Sequence, residues 1–225
     1  MIVYDLTMPL TADIPVFKNR DANRPVFAVD RSHEVNHICE HRLTINLHTG
    51  THLDAPLHVL PGGAAIDTFP LDHCVLDCQV FDMTAAGRSI TAETLELLDF
   101  RPGSAVLFKT INSGVESFDF RFCYVTADGA ACLAQKGLFL VGIDALGIER
   151  DQPGYPTHKA LFAAGTWILE GLRLAAVPLG DYTLHLLPLL IPGAEASPVR
   201  AVLTSTSPKR QKNDGGRPRD PGPDC

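Results

Sequence analysis

His48-Thr49-Gly50-Thr51-His52-Leu53-Asp54-Ala55-Pro56-Leu57-His58 places three histidines and one carboxylate within eleven residues. Imidazole and carboxylate suit divalent ions such as Zn²⁺, Mn²⁺ or Fe²⁺. The stretch offers more donors than one catalytic ion takes from so short a segment, which leaves a histidine for proton chemistry. All four groups occupy even positions, so on a straight strand they would share one face. At about 3.3 Å per residue that strand would hold His48 and His52 roughly 13 Å apart. Ligands about 2 Å from an ion must approach one another within about 4 Å. A helix would pair 48 with 52 and 54 with 58. It would also set 52 and 54 on opposed sides, and Pro56 would cost about 3 kcal/mol inside it. The spacing therefore predicts a strand that ends near His48 and a bent loop beyond it. Gly50 permits an unusual φ or a close backbone approach, and Pro56 stiffens the exit.

Working outward, residues 38–48 alternate Leu43, Ile45 and Leu47 against Thr44, Asn46 and His48. That pattern predicts a half-buried strand with His48 on its polar face. Further strands are expected at 2–6, 75–83, 104–110, 138–143, 166–170, 181–187 and 199–204. Thr91 is placed to cap a short helix through Leu98. A second helix is expected over 127–136, stopping at Gly137, and a third over 158–165. Residues 7–37, with Pro9, Pro15 and Pro25, read as irregular. Strands outnumber helices and the helices are short, which predicts a mixed α/β domain with sheet layers covered by a few helices.

The chain has 225 residues, enough to bury a sizeable core. Hydrophobic residues make up 45% and charged residues 20%, an ordinary globular balance. No apolar run approaches the 18 residues of a membrane span. The N-terminus reads as a first strand and not as a signal peptide. A net charge of −7 argues against a nucleic-acid footprint, which needs a clustered basic face. The six cysteines are scattered, and no second pair completes a zinc knuckle with Cys74 and Cys78. Buried free thiols in a reducing cytoplasm are the expectation. Residues 207–225 carry five Lys/Arg, three Asp and four Pro and no aliphatic side chain. They cannot bury enough surface to fold, so one domain over 1–206 and a disordered tail over 207–225 are expected.

A catalytic metal centre needs donors from elsewhere in the chain. His158, following Tyr155-Pro156-Thr157, and Glu170, ending the apolar run Thr166-Trp167-Ile168-Leu169, are candidates. A carboxylate straight after an apolar strand is either a surface charge or an inward ligand.

The string at 48–58 resembles the signature of the cyclase family of metal-dependent hydrolases, to which bacterial arylformamidases (kynurenine formamidases) and isatin hydrolases belong. Gly142-Ile143-Asp144, Pro156-Thr157-His158, Glu170-Gly171-Leu172, Leu187-Pro188-Leu189 and Pro198-Val199-Arg200-Ala201 match in order and spacing. The resemblance spans residues 1 to about 204. It implies a swivelling β/β/α layered fold, with mixed sheets and few short helices, assembled as homodimers or homotetramers. It implies that His48 and His52 bind one ion, that His158 binds a second, and that Asp54 and Glu170 bridge the two. His58 is then the proton donor and acceptor. The cofactor implied is a divalent metal, Zn or Mn, one or two ions per chain, with a metal-activated water as nucleophile on a small amide.

Phe17 stands where formamidases carry an aromatic contact for substrate. It is followed by Lys18-Asn19-Arg20 in place of the family's Pro-Gly-Asp, a departure that bears on N-formylkynurenine as substrate. The resemblance thus leads to a kynurenine-formamidase-like amidohydrolase. A ring-opening activity of the isatin-hydrolase kind is the alternative among enzymes. A non-catalytic metal-containing binding protein is the alternative outside them, and the spare His58 argues against it. Tyr155 and Phe162 flank the second-ion segment, as pocket or as core. Asp144 ends a buried strand, as partner of a ligating histidine or as an ordinary strand-end carboxylate. His33, His37, His41, His73 and His185 match no ligand pattern, and Trp167 reads as core.

Overall fold

The computed structural model describes residues 1–115 and 117–205. The strands are β1 (Ile2–Asp5), β2 (Val26–Arg31), β3 (Glu40–Thr44), β4 (His52–Asp54), β5 (Val75–Asp82), β6 (Ser89–Ile90), β7 (Ala105–Lys109), β8 (Tyr124–Val125), β9 (Leu140–Ile143), β10 (Trp167–Glu170), β11 (Gly180–Leu186), β12 (Ala196–Pro198) and β13 (Ala201–Ser205). The α-helices are α1 (His33–Asn36), α2 (Ala92–Glu96), α3 (Ala127–Ala134) and α4 (Pro156–Ala163).

Nine strands form one sheet in the order β1-β13-β11-β5-β7-β9-β10-β4-β12. Its centre, β5-β7-β9-β10, is parallel; the flanks are antiparallel. Parallel neighbours need a crossover connection, and α2, α3 and α4 lie in the three crossovers. These helices cover one face, where Phe108, Ile143 and Ile168 pack with Leu95, Leu133 and Leu161. On the other face, Leu184 and Leu203 from one end of the sheet share a buried cluster with Leu53 and Val199 from the other. The sheet therefore curls around that cluster. The Arg173 N–H helps close the curl by donating to Leu6 O at 2.8 Å. Each leucine buried there stabilises the fold by about 1.5–3 kcal/mol relative to exposure. The result is the layered mixed α/β architecture, with two β layers and one helical layer.

Local chemistry accounts for the elements. Thr91 and Thr94 cap α2 reciprocally, each hydroxyl accepting from the other's N–H. β11 alternates buried and half-buried residues, with Tyr182, Leu184 and Leu186 inward.

Two expectations change around the motif. The strand expected over 38–48 stops at Thr44, and its residues are exposed. Asn46 ends it: its Oδ1 accepts from the His48 N–H at 2.9 Å and its carbonyl from the Thr49 N–H at 3.0 Å. Such an asparagine turn diverts the chain. Residues 7–37 are not irregular throughout, because β2 pairs with β3 in a separate two-stranded hairpin carrying α1 near its tip. Ion pairs Arg42–Asp30 and Arg31–Glu40 cross this hairpin. Neither strand is buried on either face: β3 lies within the strand expected over 38–48, and β2 carried no alternation to mark it. Cys74, Cys78 and Cys123 are buried free thiols, whereas Cys39 is exposed. No helix among the described residues is long and apolar enough to cross a membrane. The boundary at 206 and the expected disorder of 207–225 lie outside the described residues.

Gly171, at φ 70°, sits where an added Cβ would lie 2.2 Å from Gly50 O. The strand-end Glu170 and the bend of the motif are thus pressed together backbone to backbone. Gly171→Ala should cost about 3 kcal/mol of unfolding free energy, combining left-handed strain with overpacking. Gly165→Ala, at φ 80° with nothing within 4 Å, should cost about 1 kcal/mol from strain alone. Urea unfolding of both variants checks this; equal losses would refute the close approach.

Candidate metal centre

The first motif folds as a bend, a strand and a single 3-10 turn. His48 lies in the bend, His52 and Asp54 on β4, and His58 at the end of the turn Pro56–His58. The bend therefore precedes the strand, and His52 and Asp54 share one face by ordinary strand alternation. Leu53 points the other way into the inner cluster. Register supplies the next group, because Glu170 of β10 pairs directly with His52 across the antiparallel ladder. His158 is the third residue of α4, which packs against β10. The Ile148 N–H donates to Glu170 Oε1 at 2.6 Å and holds the segment after β9 over the site.

Six groups expected from the sequence converge. Asp54 Oδ1 lies 2.9 Å from His48 Nδ1 and 3.3 Å from His52 Nε2. His52 Nε2 lies 3.4 Å from Glu170 Oε2. His158 Nε2 lies 3.6 Å from Glu170 Oε1 and 3.8 Å from Asp54 Oδ2. The His58 ring centroid is 4.3 Å from that of His48 and 5.5 Å from that of His158. His52, Asp54, His158 and Glu170 are buried, and His48 and His58 half-buried.

Electrostatics follows from these contacts. Burial pulls the His52 imidazole down, but Asp54 and Glu170 overcome it and raise its pKa to about 10. His158 is likewise lowered by burial and raised, on balance to about 10, by Glu149, Glu170 and Asp54. Burial would raise Glu170, and so would Asp54; His158 and His52 hold it at about 2. Asp54 is held well below the usual carboxylate range despite burial, mainly by His52 and His48. His58 goes the opposite way: burial lowers its pKa, and His48 and His158 add to that against Asp54 and Glu170.

The donors fit a divalent ion. His52 Nε2 and both oxygens of Asp54 are buried without a hydrogen-bond partner. Groups 2.9–3.8 Å away surround them, yet no hydrogen bond satisfies them. Orphaned buried polar atoms cost roughly 1–3 kcal/mol each, a cost that a cation at their focus removes. Donor atoms lie within 4.8 Å of one another in two groups, His48-Asp54-His58 and His52-Asp54-Glu170. The first group means that His58 also has the reach of a ligand. Each of His48, His52 and His158 presents one nitrogen to the cluster and has a partner for the other: Gly50 O at 3.0 Å from His52 Nδ1, Glu195 Oε1 at 3.4 Å from His48 Nε2, and Glu149 Oε2 at 2.8 Å from His158 Nδ1. Glu149 and Glu195 escaped the sequence reading. They lie in loops far from the motif in sequence, and no spacing signals them.

Other candidates fall elsewhere. Phe17 joins an aromatic cluster with Phe118 and Phe122, at centroid distances of 5.3 and 6.3 Å. Tyr155 is exposed, while Phe162 is core. Among the described residues Asp144 partners no histidine. It accepts from the Thr110 N–H and hydroxyl at 2.8 and 2.6 Å, from Asn112 at 3.3 Å and from the Ser113 hydroxyl. His73 stacks on Phe139, and His185 meets the Thr204 hydroxyl. Trp167 is buried core. A cavity of about 290 Å³ is lined by Phe118, Phe122 and Asp144, among others, and by none of the six converging groups.

Comparison with known proteins gives the family. The Cyclase family model, described as "Putative cyclase", matches residues 4–150. A kynurenine formamidase of Salinibacter ruber is 44% identical over 165 residues, 72% of this chain and 77% of that protein. A solved structure described as a "potential metal-dependent hydrolase with cyclase activity" superposes with a TM-score of 0.83 at 45% identity, covering 90% of this chain and 96% of its own. Isatin hydrolase A of Labrenzia aggregata shares the fold, with a TM-score of 0.81 at 24% identity over 92% of this chain and 94% of its own. Fold, site and relatives define a hydrolase. The chain belongs to the cyclase family.

Histidines whose pKa stands at about 10 hold protons at neutral pH, and a ligating imidazole must be neutral. Adding Zn²⁺ to chelator-stripped protein at pH 7 should therefore release protons, and affinity should rise with pH. Titration in weak buffer measures this; uptake without proton release would contradict the site as drawn.

Proposed function

We propose that this chain hydrolyses a small aryl formamide or related amide, the chemistry named for its kynurenine formamidase relative. The convergence of His48, His52, Asp54, His158 and Glu170 around unpartnered buried atoms carries the reading. The proposed cofactor is Zn²⁺ or Mn²⁺, one or two ions per chain, since both accept imidazole and carboxylate. His48 and His52 would hold one ion and His158 the other, with Asp54 and Glu170 shared. When bound, such an ion lowers the pKa of water towards about 7 and polarises the amide carbonyl.

The protein's own groups do the rest. His58 sits between the His48 and His158 rings, and its lowered pKa keeps it neutral at pH 7. A neutral imidazole there takes the proton of the attacking water and returns it to the departing amine nitrogen. No hydrogen bond ties the His58 side chain among the described residues, so the ring is free to exchange a proton. Phe17 is proposed to contact the aryl part of the substrate. Assembly as a homodimer or homotetramer, a cytoplasmic setting, and the absence of nucleic-acid or membrane partners belong to the same proposal.

Parallel assays of N-formylkynurenine, formanilide and isatin test the substrate class. Turnover of the formamides is expected; turnover of isatin alone would replace this reading with ring opening. His58→Ala should lower kcat about 10²–10⁴-fold and leave metal content intact. Loss of metal in step with activity would make His58 a ligand.

A further inference from the structure

We propose that Glu149 is the positioning residue for His158, its carboxylate fixing both the tautomer and the orientation of the imidazole that faces Asp54 and Glu170. The inference rests on the metal-centre reading above and deepens it.

The start of α4 shows why a carboxylate is needed. The preceding residue, Tyr155, lies at φ 56° and offers no side-chain cap. The first N–H groups of a helix lack partners within it, and Pro156 removes only one of them. Glu149 reaches in from the loop after β9 and accepts the His158 N–H at Oε2, 3.1 Å away. The same oxygen lies 2.8 Å from His158 Nδ1. One oxygen thus anchors both the backbone and the ring of His158. A negative group there also complements the positive end of the helix.

An ionised carboxylate only accepts hydrogen bonds. Nδ1 must therefore carry a hydrogen, so when His158 gives up its second proton the lone pair is on Nε2, which faces Glu170 Oε1 and Asp54 Oδ2 at 3.6 and 3.8 Å. Nε2 is the atom an ion would take. Glu149 is itself 7% exposed, and among the described residues His158 is its one ion-pair partner. Its Oε2 is directed at this residue, while Oε1 is buried without a hydrogen-bond partner. The other ligand histidines have weaker holds: His52 uses the neutral Gly50 carbonyl, and His48 a Glu195 that is 41% exposed. Carboxylate partners of ligating histidines typically contribute a factor of 10–100 in metal affinity.

The test is a Co²⁺ titration of the chelator-stripped full chain followed by visible absorption, in wild type, Glu149→Gln and Glu149→Ala, with urea unfolding of each metal-free protein alongside. Gln keeps an acceptor for the cap and removes the charge. The expected result for Glu149→Gln is a metal-free protein that still folds, less stable than wild type because the protonated His158 loses its charged partner, with Co²⁺ affinity at the His158 position about 10–100-fold weaker and an altered Co²⁺ spectrum. Glu149→Ala should lose at least as much affinity. Wild-type affinity and spectrum in Glu149→Gln, with only the metal-free stability of Glu149→Ala reduced, would overturn the inference and leave Glu149 as a helix cap. Wild-type protein that takes up no Co²⁺ would overturn the metal reading and this inference together. The arms thus separate the two failures.

Discussion

Asp54 is a carboxylate 1% exposed to solvent, on a three-residue strand inside a sheet, with neither oxygen hydrogen-bonded. Burying an unpaired charge costs several kcal/mol, so a chain that buries this one must surround it with compensating groups. His48, His52 and His158 all approach it within 3.8 Å. It is also the one residue common to both donor groups, His48-Asp54-His58 and His52-Asp54-Glu170. The rest of the centre is arranged around that shared charge.

The fold makes the arrangement rigid. β4 is held by β10 on one side and β12 on the other, and Leu53 anchors it in the inner core. Slipping this strand by one residue would exchange Leu53 with its charged neighbours, which the curled core forbids. The parallel strands bring Glu170 to a carboxyl end, where α/β sheets commonly bind ligands. The helical layer supplies His158 from α4. The backbone contact between Gly171 and Gly50 joins the two halves of the site, 120 residues apart in sequence (171 − 51) at the neighbouring bond from the Thr51 hydroxyl to Gly171 O.

The motif from His48 to His58 was legible because its chemistry is dense and its glycine and proline limit the conformations open to it. The central strands and three of the helices were legible because they are long apolar runs or carry caps such as Thr91. The short strands β4 and β12 were not, since three residues carry no period. Within the β2–β3 hairpin, β3 fell in the strand expected over 38–48, while β2 was hidden because it buries neither face. For Glu170, sequence left a surface charge and an inward ligand both open, with the ligand the lesser of the two until the family resemblance was added; register against His52 places it inward. Glu149 and Glu195 act on histidines through tertiary contacts that no local pattern encodes. Asp144, offered from its strand end as a histidine's partner, instead ties down residues 110–113.

The most direct test of Asp54 as the shared group is the metal content of Asp54→Asn, measured by elemental analysis beside wild type after loading with Zn²⁺ and desalting. The amide keeps the shape of the side chain and removes the charge that both donor groups share. The account predicts that the variant retains no tightly held ion at either group. Retention of a full wild-type complement of Zn²⁺ would contradict it.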